Sequence, residues 1–199
     1  MLTGLLTTIA AYLLGAIPFG FLLVKLTSGK DVRASGSGNI GATNVLRTSG
    51  KGLGIATLIL DILKGLAAVW LASWLTNGSP LWTSLAALAV MAGHSYSVFL
   101  GFKGGKAVAS FVGAFAYLTP LPLLAVAILF FTVVASTRYI SAGSVVAAGT
   151  FPLGVWLILH PSPELLAASI VAGWFIVYRH RGNLDRIRAG TENVFRWSK

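Results

Sequence analysis

Seven apolar runs, separated by short polar interruptions, make up most of this 199-residue chain and leave it few folds to choose from. They cover Leu2 to Val24, Gly52 to Leu75, Leu81 to Leu100, Ala107 to Leu118, Leu121 to Thr137, Ala142 to Leu159 and Leu165 to Tyr178. A helix rises about 1.5 Å per residue, so the longer of these runs reach far enough to cross a hydrocarbon layer ~30 Å thick. The fourth run does not. As a straight helix it covers only some 18 Å, which makes it tilted, extended by its neighbours or a partial span. Hydrophobic residues form 56% of the chain and charged residues 10%, against roughly 25% charged in an ordinary globular domain. With a mean hydropathy of +0.82, lipid is the expected solvent for most of the sequence. Pro18 predicts a kink in the first run. No charge precedes Lys25, so that run lacks the basic leader of a signal peptide and reads as a retained helix.

The charge lies in the gaps. Fifteen Lys and Arg stand against 5 Asp and Glu, a formal net charge of +10. Lys25, Lys30, Arg33, Arg47 and Lys51 fall between the first two runs, Lys103 and Lys106 after the third, and Arg138 after the fifth. Arg179, Arg181, Arg186, Arg188, Arg196 and Lys199 follow the seventh. The gaps Thr76 to Pro80, Thr119 to Pro122 and His160 to Glu164 contain no Lys or Arg. Positively charged loops stay in the cytoplasm, and seven spans place every basic residue except Lys64 on that side. Merging the fourth and fifth runs into one breaks the alternation. The expected fold is therefore an all-α integral membrane protein with seven transmembrane helices. The fourth is short, the N-terminus lies outside, the C-terminus is cytoplasmic, and a single domain spans residues 1–199. The chain has no Cys, which excludes disulfides, thiolate metal sites and a cysteine nucleophile.

Three of the basic gaps are too polar and too rich in glycine to be plain connectors. In the first, Ala34 to Arg47, Gly36, Gly38 and Gly41 allow the backbone to turn its N–H groups onto one point, as a phosphate cradle requires. Ser35, Asn39, Thr43 and Asn44 add neutral donors, and Arg47 a planar fork for phosphate oxygens. Gly36, Gly38 and Gly41 also spell a dinucleotide fingerprint, with Asp61 further on. That fingerprint needs a preceding strand, and here an apolar helical run precedes it. The second segment, Gly93 to Ala109, places Lys103 and Lys106 around Gly104 and Gly105 at the start of the fourth run, an anion site by type. A nucleotide-hydrolysing loop would need Gly at Leu100 and Ser or Thr at Ala107, so that chemistry is not supported. His94 stands at the end of a span, where a hydrogen-bonding role is commoner than catalysis.

The third segment, Tyr178 to Asn193, carries Arg179, His180, Asn183, Arg186 and Glu192, more than a basic tail needs for topology. His180 and Asp185 also match a His-x-x-x-x-Asp pattern in which His deprotonates a hydroxyl, a match we read as coincidence. Inside the second run, Asp61 and Lys64 lie one turn apart and can pair; charged residues there are functional suspects or a structural ion pair. Ser141 and Ser144 can lend hydroxyls from the start of the sixth run.

Together the three segments resemble the bacterial acyl-phosphate:glycerol-3-phosphate acyltransferases. The resemblance rests on Ser35 to Asn44, on Gly93-His94 followed by Phe102 to Lys106, and on Arg179-His180 with Asn183, Arg186, Gly190 and Glu192. Ala107 departs from the family pattern, which has Gly there, and touches helix-start geometry more than chemistry. The resemblance implies transfer of a fatty acyl group from acyl phosphate to the sn-1 hydroxyl of glycerol 3-phosphate. Lysophosphatidic acid and phosphate would be the products, formed at the cytoplasmic face of a bacterial inner membrane. It implies no cofactor or metal, the bilayer as environment, no nucleic acid and no obligate protein partner.

On that reading, Lys103, Lys106 and Arg47 hold phosphate charge, with the N–H groups of Gly104 and Gly105 assisting. Ser35, Asn39, Asn44 and Ser141 orient phosphates and polarise the carbonyl, with Gly38, Gly41, Thr43, His94 and Arg179 also lining the substrates. His180 and Asn183 lie near the reacting centre, and Arg186 and Glu192 hold the tail. Either His180 or a substrate phosphate oxygen takes the hydroxyl proton. A transporter of a phosphorylated solute is the alternative, as is a lipid-binding scaffold. An acyl-CoA donor in place of acyl phosphate is the closer variant.

Overall fold

In a computed structural model, residues 1–195 are described, and all their regular structure is helical. The basic residues Arg196 and Lys199 lie outside the described residues. The first apolar run forms two helices, α1 (Leu2–Ala16) and α2 (Phe19–Ser28). The anticipated kink is a full break, because the residue before a proline is pushed out of helical conformation. Ile17 is extended, with φ −60° and ψ 115°. Beyond it come α3 (Ala42–Ser49), α4 (Lys51–Leu75), α5 (Pro80–Ser95) and α6 (Val108–Leu118). Then follow α7 (Pro120–Thr137), α8 (Ile140–Leu159), α9 (Pro163–Arg179) and α10 (Arg181–Arg188). The third apolar run predicted a helix to Leu100; α5 stops at Ser95 and a short 3-10 turn takes up Val98–Leu100. Helices α3 and α10 fall in segments that apolar periodicity does not mark.

Sequence chemistry explains the helix starts. Pro80, Pro120 and Pro163 each open a helix where no backbone donor is needed, and the Ser162 hydroxyl accepts from Leu165 N at 3.3 Å. Among the described residues, five segments are long and apolar enough to cross a membrane: Leu2–Ser28, α4, Pro80–Leu100, α7 and α8. Ile128, Phe131 and Trp174 present more than half of their surface outward, as a lipid-facing ring would. Hydroxyls within these helices turn onto their own backbone: Thr57 donates to Leu53, Thr132 to Ile128 and Ser144 to Ile140.

The chain divides into two compact units. In the first, Met1–Leu118, α1 packs along α5 and α4 along α6. Close crossings set it: Gly93 lies against the Tyr12 carbonyl, Gly65 against Ser110 and Gly113 against Ile62. The α4–α6 crossing lies roughly 20 Å along α4 from Lys51, yet within roughly 5 Å of the start of α6. Helix α6 therefore begins level with the middle of α4, and the segment leading into it runs at that depth. This is why the fourth run is short. In the second unit, from Thr119 onward, α8 packs between α7 and α9, and α10 folds back on α8 and α9.

Candidate active site

The first polar segment is wound around one buried side chain. Asn44, in the first turn of α3, accepts from Ser37 N at 2.9 Å through Oδ1. Its Nδ2 donates to the carbonyls of Asn39 at 2.8 Å, Ser35 at 3.1 Å and Val32 at 3.2 Å. Gly36, at φ +62°, passes so near this amide that a Cβ would overlap it. Both ends of the Asn44 amide thus organise the loop from within. Asn39 Oδ1 accepts from Gly41 N at 2.8 Å, so that N–H is also engaged. Ser35, Gly38, Thr43 and Arg47 are exposed on the same loop and helix. Arg33 is tied to Asp31 at 2.7 Å and lies over the Phe21 ring, and its guanidinium holds the Asp31 carboxyl at about 2. No strand precedes the glycines among the described residues, which removes the dinucleotide reading.

The second segment folds back onto the end of α5. Gly104 N donates to Ser95 O and Gly105 N to His94 O, both at 3.0 Å. Both glycine N–H groups expected to cradle a phosphate are thus engaged by backbone carbonyls. Glycine is required for another reason: a Cβ on Gly104 would strike the His94 carbonyl, and one on Gly105 the His94 imidazole. Lys103 is exposed and Lys106 half-buried on either side of the pinned pair. Ala107, fully buried at φ +61°, then accepts from Phe111 N and starts α6.

Beneath this loop lies a charged cluster. Asp61 and Lys64 pair at 2.8 Å with side chains 2% and 1% exposed, and His94 Nδ1 stands 3.7 Å from Asp61 Oδ1. Lys64 Nζ also donates to Ile17 O at 2.8 Å, in the break of the first span. Next to it the Ser97 hydroxyl donates to Ala16 O at 2.6 Å, and Tyr12 OH donates to Tyr96 O at 2.7 Å. Ser97 and Tyr12 received no role from sequence reasoning. A helix broken in lipid exposes carbonyls that need donors, and Pro18 was the signal to look for them.

In the second unit, Glu192 gathers three donors. Asn183 Nδ2 donates to Oε1 at 2.6 Å, Ser141 Oγ to Oε1 at 2.8 Å and Arg186 Nε to Oε2 at 2.8 Å. Burial alone raises the Glu192 carboxyl; the three hydrogen bonds outweigh it and hold the group below its usual range. This ties the tail to α8 and α10. His180, at the joint of α9 and α10, is buried and its Nδ1 lies 2.8 Å from Ile176 O. A carbonyl only accepts, so Nδ1 carries the proton and Nε2 is the basic nitrogen of this tautomer. Arg179 is half-buried beside it. Asp185 faces outward and pairs with Arg188 at 3.5 Å, leaving the His-to-Asp pattern without a geometric basis. The Ser144 hydroxyl is spent on Ile140. Among the described residues, no group of three His, Asp or Glu side chains is placed to hold a metal ion.

Comparison with known proteins adds a direct likeness. The family model described as glycerol-3-phosphate acyltransferase matches residues 5–190. A glycerol-3-phosphate acyltransferase of Geobacter sulfurreducens is 48% identical over 196 residues, covering 98% of this chain and 100% of that protein. The crystal structure of PlsY, an integral membrane glycerol 3-phosphate acyltransferase, in its glycerol 3-phosphate form superposes with a TM-score of 0.91. It is 38% identical and covers 97% of this chain and 96% of its own. Its lysophosphatidic acid form gives a TM-score of 0.87 at 36% identity, covering 97% and 95%.

Proposed function

The chain belongs to the glycerol-3-phosphate acyltransferase family, and from that premise we propose that it moves a fatty acyl group from acyl phosphate to the sn-1 hydroxyl of glycerol 3-phosphate. The hydroxyl oxygen attacks the acyl carbonyl, the bond from that carbonyl to the phosphate oxygen breaks, and lysophosphatidic acid and inorganic phosphate leave. The observation that carries the reading is a basic loop, Lys103 to Lys106, folded at mid-depth of an apolar unit in a chain of this family. Such a loop suits a substrate with a phosphate at one end and an acyl tail at the other. Transport of a phosphorylated solute is set aside, because the family is one of acyltransferases.

Lys103, Lys106 and Arg47 hold phosphate charge, and Ser35, Thr43 and the exposed rim of the first loop supply neutral donors. An acyl phosphate is a mixed anhydride and already activated, so orientation and charge stabilisation supply much of the rate. The hydroxyl proton passes to His180 Nε2 or to a substrate phosphate oxygen. Ser141, Asn183 and Arg186 keep Glu192 and the tail in place for that step. The whole chain acts as one catalytic domain with seven spans, its N-terminus outside and its basic loops in the cytoplasm of a bacterial cell, the inner membrane being its location.

The donor is tested with purified protein, glycerol 3-phosphate and either palmitoyl phosphate or palmitoyl-CoA. Lysophosphatidic acid from the phosphate donor alone supports the proposal. Equal or faster product formation from the CoA donor overturns it.

A further inference from the structure

Two opposite charges inside a membrane span cost several kcal/mol of desolvation, and an apolar pair of similar volume is commonly as stable. Stability alone therefore does not account for Asp61 and Lys64 in the middle of α4. Their connections do. Lys64 reaches out of the pair to the carbonyl of Ile17, where the first span breaks. The same Asp61 oxygen that pairs with Lys64, Oδ1, also stands 3.7 Å from His94 Nδ1. The His94 imidazole lies against Gly105 with no room for a methyl group between them, and the His94 carbonyl receives the Gly105 N–H. One continuous set of contacts thus runs from the broken helix through Lys64, Asp61 and His94 to the glycine between the two lysines.

The same break supports the first loop. Gly20, in the first turn of α2, is in contact with the carbonyl of Ile40 so closely that a Cβ would overlap it. Ser97 closes the break from the other side by donating to Ala16 O. Within this unit, the position of the break and the positions of both polar loops are set together.

We propose that Asp61, Lys64 and His94 form a positioning relay that fixes the Lys103–Lys106 loop against the break at Ile17 and so sets its affinity for a phosphate-bearing substrate. The relay touches no reacting atom; it acts through Gly105. It rests on the reading that Lys103 and Lys106 hold substrate phosphate. Asp61→Asn keeps the volume of the side chain but loosens its hold on both Lys64 and His94.

The test compares wild type, Asp61→Asn and the neutral pair Asp61→Asn/Lys64→Met, each alone and with Lys103→Ala. Steady-state kinetics with palmitoyl phosphate and glycerol 3-phosphate give the first readout. The expected result is a KM raised about tenfold for one of the two substrates, with kcat changed by less than about threefold. In the Lys103→Ala background the relay substitution adds little, because both changes act on the same loop. A second readout does not need turnover. The chain has no Cys, so Phe102→Cys, at an exposed position, gives a single thiol for a charged maleimide. Its labelling is expected to accelerate when Asp61→Asn releases the loop.

An unchanged KM in an active enzyme overturns the proposal. So does a loss that multiplies with that of Lys103→Ala, or labelling that does not accelerate. Failure of both Asp61→Asn and the neutral pair to accumulate as folded protein also overturns it, in favour of a purely structural ion pair. Wild-type protein inactive with every acyl donor would instead defeat the acyltransfer reading, while the labelling rates still decide the relay.

Discussion

Asn183 donates to Glu192 Oε1 at 2.6 Å, and that short bond, shared with Ser141, fastens the tail to two helices at once. Side-chain exposure of Glu192 is only 6%. Hydrogen bonds to a charged acceptor contribute about 1.5–3 kcal/mol when a partner is removed. Glu192→Gln turns one acceptor into a donor that faces other donors. It is expected to lower the thermal midpoint in detergent by several degrees and to reduce activity more than tenfold. An unaltered melting curve would show that the tail is held by something else.

The same carboxyl makes a pH prediction. Its folded value lies below the usual 4.5, so the folded state binds fewer protons than the unfolded one. The stability it adds is complete above 4.5 and is lost as pH falls through the folded value. Wild type and Glu192→Gln should differ by a constant amount near neutrality and converge in acid. Thermal melts on both proteins from neutral pH downward check the sign.

His180 has Nδ1 committed to the Ile176 carbonyl, which leaves Nε2 as the basic nitrogen. If that nitrogen takes the hydroxyl proton, His180→Ala lowers kcat by about 100-fold or more and removes a neutral-range limb from the pH–rate profile. Near-intact turnover would assign the proton to a substrate phosphate oxygen.

Arg47 is exposed on α3, and its removal should leave stability within about 0.5 kcal/mol. Arg47→Ala is expected to raise KM for a phosphate-bearing substrate, with Arg47→Lys recovering only part, since a point charge lacks the bidentate fork. Full recovery by Lys would reduce the role to charge alone.

Ala107 sits at φ +61° with its methyl buried. The left-handed region costs a non-glycine residue about 1–2 kcal/mol. Glycine there relieves the strain but adds unfolded-state freedom and loses a buried methyl, offsets of about 0.5–1 and 0.8 kcal/mol. Ala107→Gly should therefore lie within about 1 kcal/mol of wild type by thermal melt, whereas Ala107→Val fails to fold or loses activity.

Apolar run length made the helical architecture readable, because lipid forces long apolar runs onto the sequence. The limits of α4 were legible to within a residue, from Gly52 against Lys51 to Leu75. The break at Ile17 was readable only as a kink, since a proline states where a helix is disturbed and not how its carbonyls are answered. Helices α3 and α10 escaped because their residues are polar and their partners distant in sequence. For the same reason, Gly104 and Gly105 suggested a phosphate cradle. Composition shows that glycine is needed, while only the fold shows that His94 is what needs the space. Asn44 makes a related point: a polar side chain in a glycine-rich loop can serve the loop as readily as a ligand.

The central claim is that glycerol 3-phosphate draws the acyl group off a phosphate donor, and phosphate release reports it most directly. Purified protein with palmitoyl phosphate is followed with and without glycerol 3-phosphate, and lysophosphatidic acid is quantified in the same samples. The account predicts release that depends on glycerol 3-phosphate and matches the lysophosphatidic acid formed, molecule for molecule. Release at the same rate without glycerol 3-phosphate, or none from folded protein, would contradict it.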